Sequence, residues 1–417
     1  MVASEIRALF AVASRPEVVS LAGGMPNLSA LPLDAVAGTF GRLVAERGTQ
    51  ALQYGSGQGD TVLREQIAGQ LMPLVGVRAH PDDIVVTVGS QQALDLVTRV
   101  LCDPGDVVLA EAPSYVGALS VFAAYQARVV HVPMDAEGLD PVALAGALEQ
   151  LAAEGRRPKF LYTVPSFHNP AGVTLGAARR AEILQLCLAN GVPVLEDDPY
   201  ALLGFDGHVP QAMRALDPTG VVYLGSFSKT FAPGLRVGWA VAPHGIREKL
   251  VLAAEASVLC PPAICQMAVS AYLAEHPWLE QVKVFRELYR ERRDALLDAM
   301  ATLLPAGTVW TEPAGGFYSW VTLPEGLDAA VMLPRAVTAR VAYVPGTAFY
   351  AGPAKPAGRR SLRLSYCFPE PDRIREGVRR LAGVVEEELD LVQTFGRAVP
   401  GSRHDESTSD VPGPETA

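Results

Sequence analysis

Six short apolar runs separated by helical stretches set the tightest limit on how this chain can fold. They are IVVTV (84–88), VVLA (107–110), KFLYT (159–163), VPVLE (192–196), VVYLG (221–225) and VGWAVA (237–242), with amphipathic segments such as QQALDLVTRVL and YVGALSVFAAY between them. Continuous β-branched strands alternating with helices predict an α/β fold, a mostly parallel sheet with helices on both faces.

The flanks read differently. Residues 1–35 form an arm: Ile6, Leu9, Phe10 and Ala13 fall at helical spacing before LAGGMPNLSALP breaks the pattern with Gly and Pro. Residues 36–285 make the large domain. A charged helix then leads into TVWTEPAGGFYSWVTL, RVAYV and SLRLSY, which read as a smaller α/β domain over 286–395. The segment 396–417 is polar and rich in Pro, Ser and Gly, and is expected to be disordered.

Composition narrows the function classes. Hydrophobic residues are 49% of the 417, enough for a large core, and the net charge is −10, which speaks against a nucleic-acid partner. No uncharged apolar run reaches ~18 residues, so no membrane span is expected. The N-terminus lacks the basic-then-apolar pattern of a signal peptide, which makes the expected location cytoplasmic. The five cysteines (Cys102, Cys187, Cys260, Cys265, Cys367) are odd in number and form no Cys-x-x-Cys, so neither a disulfide framework nor a metal site is read.

Five segments are candidates to carry chemistry. In TVGSQQALDL a strand ends at a Gly and a helix begins near Ser90 and Gln91, placing free N–H groups where a phosphate can bind; the plainer reading is a helix with a Ser cap. YGSGQG (54–59) lacks the spacing of a dinucleotide fingerprint. VPSFHNPAG turns at a strand's C-terminal end, the ligand-binding edge of open α/β sheets; Asn169 there has an ordinary turn role, and His168 reads as polar surface with no assigned role. In VPVLEDDPY a buried strand runs into Glu196, Asp197 and Asp198. A buried carboxylate needs a partner, for which a cationic ring nitrogen would serve; otherwise the three form a solvated loop. In GSFSKTFAPGLRVGW, Lys229 sits among Ser226, Ser228 and Arg236. An amine removed from water becomes nucleophilic, and two hydroxyls with an arginine suit a phosphate. Taken singly, Lys229 is a surface lysine.

Taken in order, YGSGQG, GSQQALDL, APSY, PSFHNPAG, EDDPY, SFSKTFAPGLRVGW and LRLSY resemble the fold-type I, class I/II aminotransferases that use pyridoxal 5′-phosphate (PLP), and within them the aminoadipate and kynurenine aminotransferase branch. The likeness covers about residues 18–390. It implies a seven-stranded sheet and a site in which Lys229 holds the cofactor covalently and carries the proton. Asp197 pairs with the ring nitrogen; Tyr200 and Asn169 hydrogen-bond the ring oxygen; Tyr115 stacks on the ring. Ser90, Gln91, Ser226, Ser228 and Arg236 hold the phosphate. Tyr54 reaches the phosphate of a neighbouring subunit, implying a homodimer. Arg363 binds the substrate α-carboxylate, Asn169 also faces the substrate, and Gly24 lines its pocket. Phe317 and Tyr318 stand where many relatives carry Met-Phe, a departure that bears on specificity.

The implied activity is ping-pong transfer of an amino group from an L-α-amino acid to a 2-oxo acid. β-Elimination or decarboxylation on the same frame uses the same cofactor residues. A non-catalytic PLP-binding effector module of a transcription regulator is disfavoured, since LAGGMP begins near residue 21 and leaves no room for a DNA-binding domain. A nicotinamide enzyme lacks its fingerprint.

Overall fold

The computed structural model describes residues 15–395. The helix expected around Ile6–Ala13 and the segment 396–417 lie outside them.

After β1 (Val19–Ser20), the chain lays down β2 (Ile84–Val88), β3 (Val107–Ala112), β4 (Arg128–Asp135), β5 (Gly138–Leu139), β6 (Leu161–Thr163), β7 (Val194–Asp197), β8 (Val221–Ser226) and β9 (Val237–Val241). The large sheet has the order β2-β9-β8-β7-β6-β3-β4-β5. Seven full strands are present, and the two-residue β5 adds an eighth at the edge. β4 is the long strand that the apolar runs did not reveal: its RVVHVPMD is exposed or half-buried at most positions, and His131 and Pro133 interrupt its apolar residues.

Strands β3, β4, β6, β7 and β8 run parallel. β9 is antiparallel to both β8 and β2. Chain length explains that reversal. Only residues 227–236 separate β8 from β9, fewer than the dozen or so a parallel crossover needs. The short return holds Lys229 at the C-terminal end of β8. The C-terminal ends of β2, β3, β6, β7 and β8 therefore share one edge, and every candidate cofactor residue on the large sheet follows one of those ends.

A second sheet, of β10 (Val309–Trp310), β11 (Tyr318–Thr322), β13 (Val344–Pro345) and β14 (Ser361–Ser365), is antiparallel in the order β10-β11-β14-β13. Arg363 is the middle residue of β14, paired with Trp320 and Val344. The arm docks on this unit: β1 pairs with β12 (Val341–Ala342), and Ser365 N donates to Leu21 O at 2.8 Å. That docking carries Gly24 to the cleft between the sheets. The helix Trp278–Leu303 passes unbroken through residue 285. Among the described residues no helix is long and apolar enough to cross a membrane.

Candidate active site

A cavity of about 290 Å³ opens at the shared strand edge, beneath β14 and the arm. Its floor is built by β7. Asp197 is almost fully buried and takes one hydrogen bond, from the Tyr162 hydroxyl to Oδ2 at 2.9 Å. Among the described residues its Oδ1 has no partner. Burial pushes its pKa up to about 7, against the pull of the Tyr162 hydrogen bond. A carboxylate in that state calls for a positively charged hydrogen-bond donor. The acids beside it are buried as well, so the solvated-loop reading of EDDPY fails. Glu196 accepts from the N–H groups of Met213 and Arg214.

Lys229 faces Asp197 across the cavity. Its Nζ donates to the Gly24 carbonyl at 3.0 Å and lies 5.5 Å from the centre of the Phe317 ring. Burial lowers its pKa to about 8. Arg363 and Arg236 push the same way, while Cys367 and Asp197 oppose. The amine is thus neutral in part near physiological pH, the state a nucleophile or base requires.

One wall is built for an anion. The helix Ser90–Leu101 starts at the end of β2, so its free N–H groups point at the cavity. Its N-cap is Gly89, at φ 77°, and Ser90 is the first helical residue, correcting the reading of Ser90 as a cap. Gly89 is required: a Cβ there would run into the Arg236 guanidinium. Gly238 is equally constrained, since its Cβ would lie 2.5 Å from Ser90 N. Ser226 Oγ donates to Ser228 Oγ at 2.9 Å, and Arg236, itself at φ 54°, reaches Ser228 Oγ at 3.4 Å. Two hydroxyls, a guanidinium and a helix N-terminus fit a phosphate dianion.

Opposite lies Arg363, buried with its guanidinium 4.2 Å from the Tyr318 ring centre and 5.1 Å from that of Phe349. Nη1 donates to Asn169 Oδ1 at 2.8 Å and Nη2 to the Ala22 carbonyl at 2.7 Å, while Nε has no partner among the described residues. Two of the five guanidinium N–H donors are engaged, which leaves donors for a carboxylate. Tyr115 and Tyr200 line the cavity too. Gln91 stands behind, accepting from the Tyr115 hydroxyl at 3.2 Å. Gly24 is in place, and a Cβ there would collide with the Tyr318 hydroxyl. Tyr54 is the exception: it is 76% exposed and does not line the cavity of its own chain.

Two features escaped the sequence. Tyr162 holds Asp197, yet it sits in a strand buried on both faces, where nothing marks one residue from the next. His168, read as polar surface, is 1% exposed. Its Nε2 lies 2.9 Å from Glu111 Oε2 and its Nδ1 accepts from Ala171 N, bracing the turn that presents Asn169.

The family model for class I and II aminotransferases matches residues 16–381. The chain is 40% identical to aromatic-amino-acid aminotransferase 1 of Thermococcus litoralis, over 93% of both chains. It is also 40% identical to 2-aminoadipate transaminase of Thermus thermophilus, over 94% of this chain and 96% of that one. The solved structure of Pyrococcus horikoshii kynurenine aminotransferase, in complex with PMP, superposes with a TM-score of 0.89 at 40% identity, covering 93% of this chain and 96% of that one. An anion wall, an unpartnered buried carboxylate and a buried amine thus meet in a chain that matches over almost its whole length, and the chain belongs to the class I and II aminotransferases, enzymes that transfer amino groups with pyridoxal phosphate.

Proposed function

We propose that this aminotransferase takes L-amino acids with aromatic or apolar side chains as donors. The observation that carries this reading is the charge inventory of the cavity. Among the described residues that line it, the charged ones are Asp197, Lys229 and Arg363, and the rest of the wall includes Met25, Tyr115, Val116, Val164 and Tyr318. Asp197 and Lys229 serve the cofactor, as does Arg236 beside Ser228 at the anion wall, and Arg363 serves the α-carboxylate, so among the described residues no second cation is left for a side-chain carboxylate. The relatives named for aromatic amino acids and kynurenine support the same class.

Bound pyridoxal phosphate supplies an electron sink for the bond broken at the substrate Cα. The residues do the rest. Ser90, Ser226, Ser228 and Arg236 hold the phosphate, with Gln91 steadying Tyr115 against the ring. Asp197 keeps the ring nitrogen protonated, and Asn169 and Tyr200 hydrogen-bond the ring oxygen. Arg363 fixes the substrate by its α-carboxylate and so sets which Cα bond faces Lys229. The neutral Lys229 amine takes the proton from Cα and gives it up again within the same turnover. Gly24 keeps the arm close enough for its carbonyl to orient that amine. Both half-reactions use one site, which gives ping-pong kinetics.

Tyr54 acts across a dimer. It belongs to an exposed apolar surface with Leu52, Val258 and Leu259, and the two segments touch where Gly55 N meets Cys260 Sγ at 3.4 Å. Covering that surface with a second copy would bring each Tyr54 to the phosphate of the partner's site.

Two results test the reading. With 2-oxoglutarate as acceptor, kcat/KM for phenylalanine should exceed that for aspartate by at least about tenfold; the reverse order ends the apolar-donor proposal. Arg363→Lys keeps a charge but loses the two-pronged contact, so KM for the amino acid should rise about 10- to 100-fold with a smaller change in kcat. An unchanged KM would remove Arg363 from the carboxylate site.

A further inference from the structure

His131 lies outside the cavity, on β4, and joins the large sheet to a loop of the smaller unit. Its Nδ1 is 2.9 Å from the Glu111 carbonyl oxygen on the neighbouring strand β3. Its Nε2 accepts from the N–H of Ala351 at 2.8 Å, and Ala351 follows the short helix Gly346–Phe349 of the smaller unit. Hydrogen-bond accounting fixes the ring. A carbonyl accepts, so Nδ1 must carry the proton; an N–H donates, so Nε2 must carry a lone pair. His131 is therefore neutral in this arrangement. The imidazolium would set Nε2–H against the Ala351 N–H, two donors with no acceptor between them, and the contact would break.

The segment so held bears on the site. Phe349, two residues before Ala351, is fully buried, and its ring lies against the Arg363 guanidinium. Its carbonyl accepts from Ser114 N at 2.9 Å, one residue before Tyr115 on the cavity wall. Residues 349–351 are thus pinned to the large domain through two of their main-chain groups, one to the His131 ring on β4 and one to the turn after β3, and Arg363 rests on what they hold. We infer that His131 is a positioning residue: in its neutral form it latches the Phe349–Ala351 segment to the large sheet and through Phe349 sets the aim of Arg363. The inference rests on the reading of Arg363 as the α-carboxylate site.

The surroundings leave the protonation state to burial. Tyr350 packs on the ring at 5.5 Å between centroids, and its own phenol is pushed by burial up to about 12. The Glu111 carboxylate is turned away, accepting from Thr163 Oγ1 and Val164 N. Arg128 and Asp135 lie at the two ends of β4. Burial lowers the His131 pKa from its ordinary 6.5, with the Glu111 carbonyl opposing. The unfolded chain then binds more protons than the folded one as pH falls from that value, so the latch is fully made above it, weakens below it, and is lost as pH falls through the lower value of the folded state.

The test is backbone hydrogen exchange over residues 347–353, with KM for the amino donor, in the holoenzyme at several pH values between 5 and 8. Wild type should exchange faster relative to His131→Gln as pH falls below about 6.5, because Gln offers a donor and an acceptor that do not titrate. Its KM should rise by about fivefold relative to that variant, as for loss of one neutral hydrogen bond. His131→Phe should show the fast exchange and raised KM at every pH. Identical exchange in wild type and His131→Gln throughout overturns the latch. Altered exchange with a flat KM overturns its link to Arg363. Failure of the Arg363 reading shows separately, as wild-type KM in Arg363→Lys.

Discussion

Lys229→Ala should lower kcat by at least about 10⁴, the upper range for losing a positioned acid–base group, and more because the covalent anchor goes too. Among the described residues, Lys229 presents the one amine in the cavity, and its Nζ is held by the Gly24 carbonyl across from Asp197. Arginine cannot substitute, because its guanidinium does not give up its proton. If the missing function is proton carriage, a small alkylamine added to Lys229→Ala should restore part of the rate in proportion to its concentration, and Lys229→Arg should not respond. The wild-type amine adds a pH signature. Burial places its pKa at about 8, so the amine of the cofactor-free protein is mostly protonated below that value and free to react above it. Cofactor uptake by the apoprotein should accelerate as pH rises through 8. An alanine variant that transaminates at the wild-type rate would end the assignment of Lys229.

Legibility followed the type of physical signal. Strands buried on both faces are apolar runs, so β2, β3, β6, β7, β8 and β9 could be read directly, with ends shifted by a residue or two. β4 could not, because in a strand with half-exposed positions His131 and Pro133 break up the apolar run. The site residues at strand ends and on the turns after them were legible because Gly, Pro, Ser and acid clusters punctuate those turns: Asp197 ends β7, and Ser90, Asn169 and Lys229 follow strand ends. Arg363 was different. It lies inside a strand, and only the ordered likeness to a family singled it out. What sequence could not carry was pairing at a distance. Tyr162 with Asp197, Asn169 with Arg363 and His131 with Ala351 are separated by 35, 194 and 220 residues, and no local pattern encodes such contacts. His168 was misread for a related reason: its partner Glu111 lies on another strand, and that distant carboxylate is what makes its burial tolerable.

Asp197→Asn separates function from stability more sharply than any other change in the cavity. The amide keeps the size of the carboxylate and can still accept from the Tyr162 hydroxyl, so packing is preserved. It cannot supply the negative charge that keeps a ring nitrogen protonated. Losing one preorganised electrostatic group of this kind costs about 10²–10³ in kcat. Stability should move the other way in the cofactor-free protein. The folded-state pKa of Asp197 is raised from 3.8 to about 7, chiefly by burial. A carboxyl group with a raised pKa favours the fold in its protonated form, and that advantage disappears as pH rises through 7; an ionised Asp197 is then a buried charge with Oδ1 unpartnered. Asparagine carries no charge at any pH. The variant apoprotein should therefore melt at the same temperature as wild type near pH 4 and at a higher one near pH 8, with a gain of up to about 4 kcal/mol. Saturation with cofactor should erase or reverse that gain, because the bound ring nitrogen gives the wild-type carboxylate the partner it lacks. Thermal melts of both proteins, with and without pyridoxal phosphate at the two pH values, decide the matter. An Asn variant with wild-type kcat would refute the role of Asp197, and one destabilised equally at both pH values would show that the carboxylate is held by contacts other than those described.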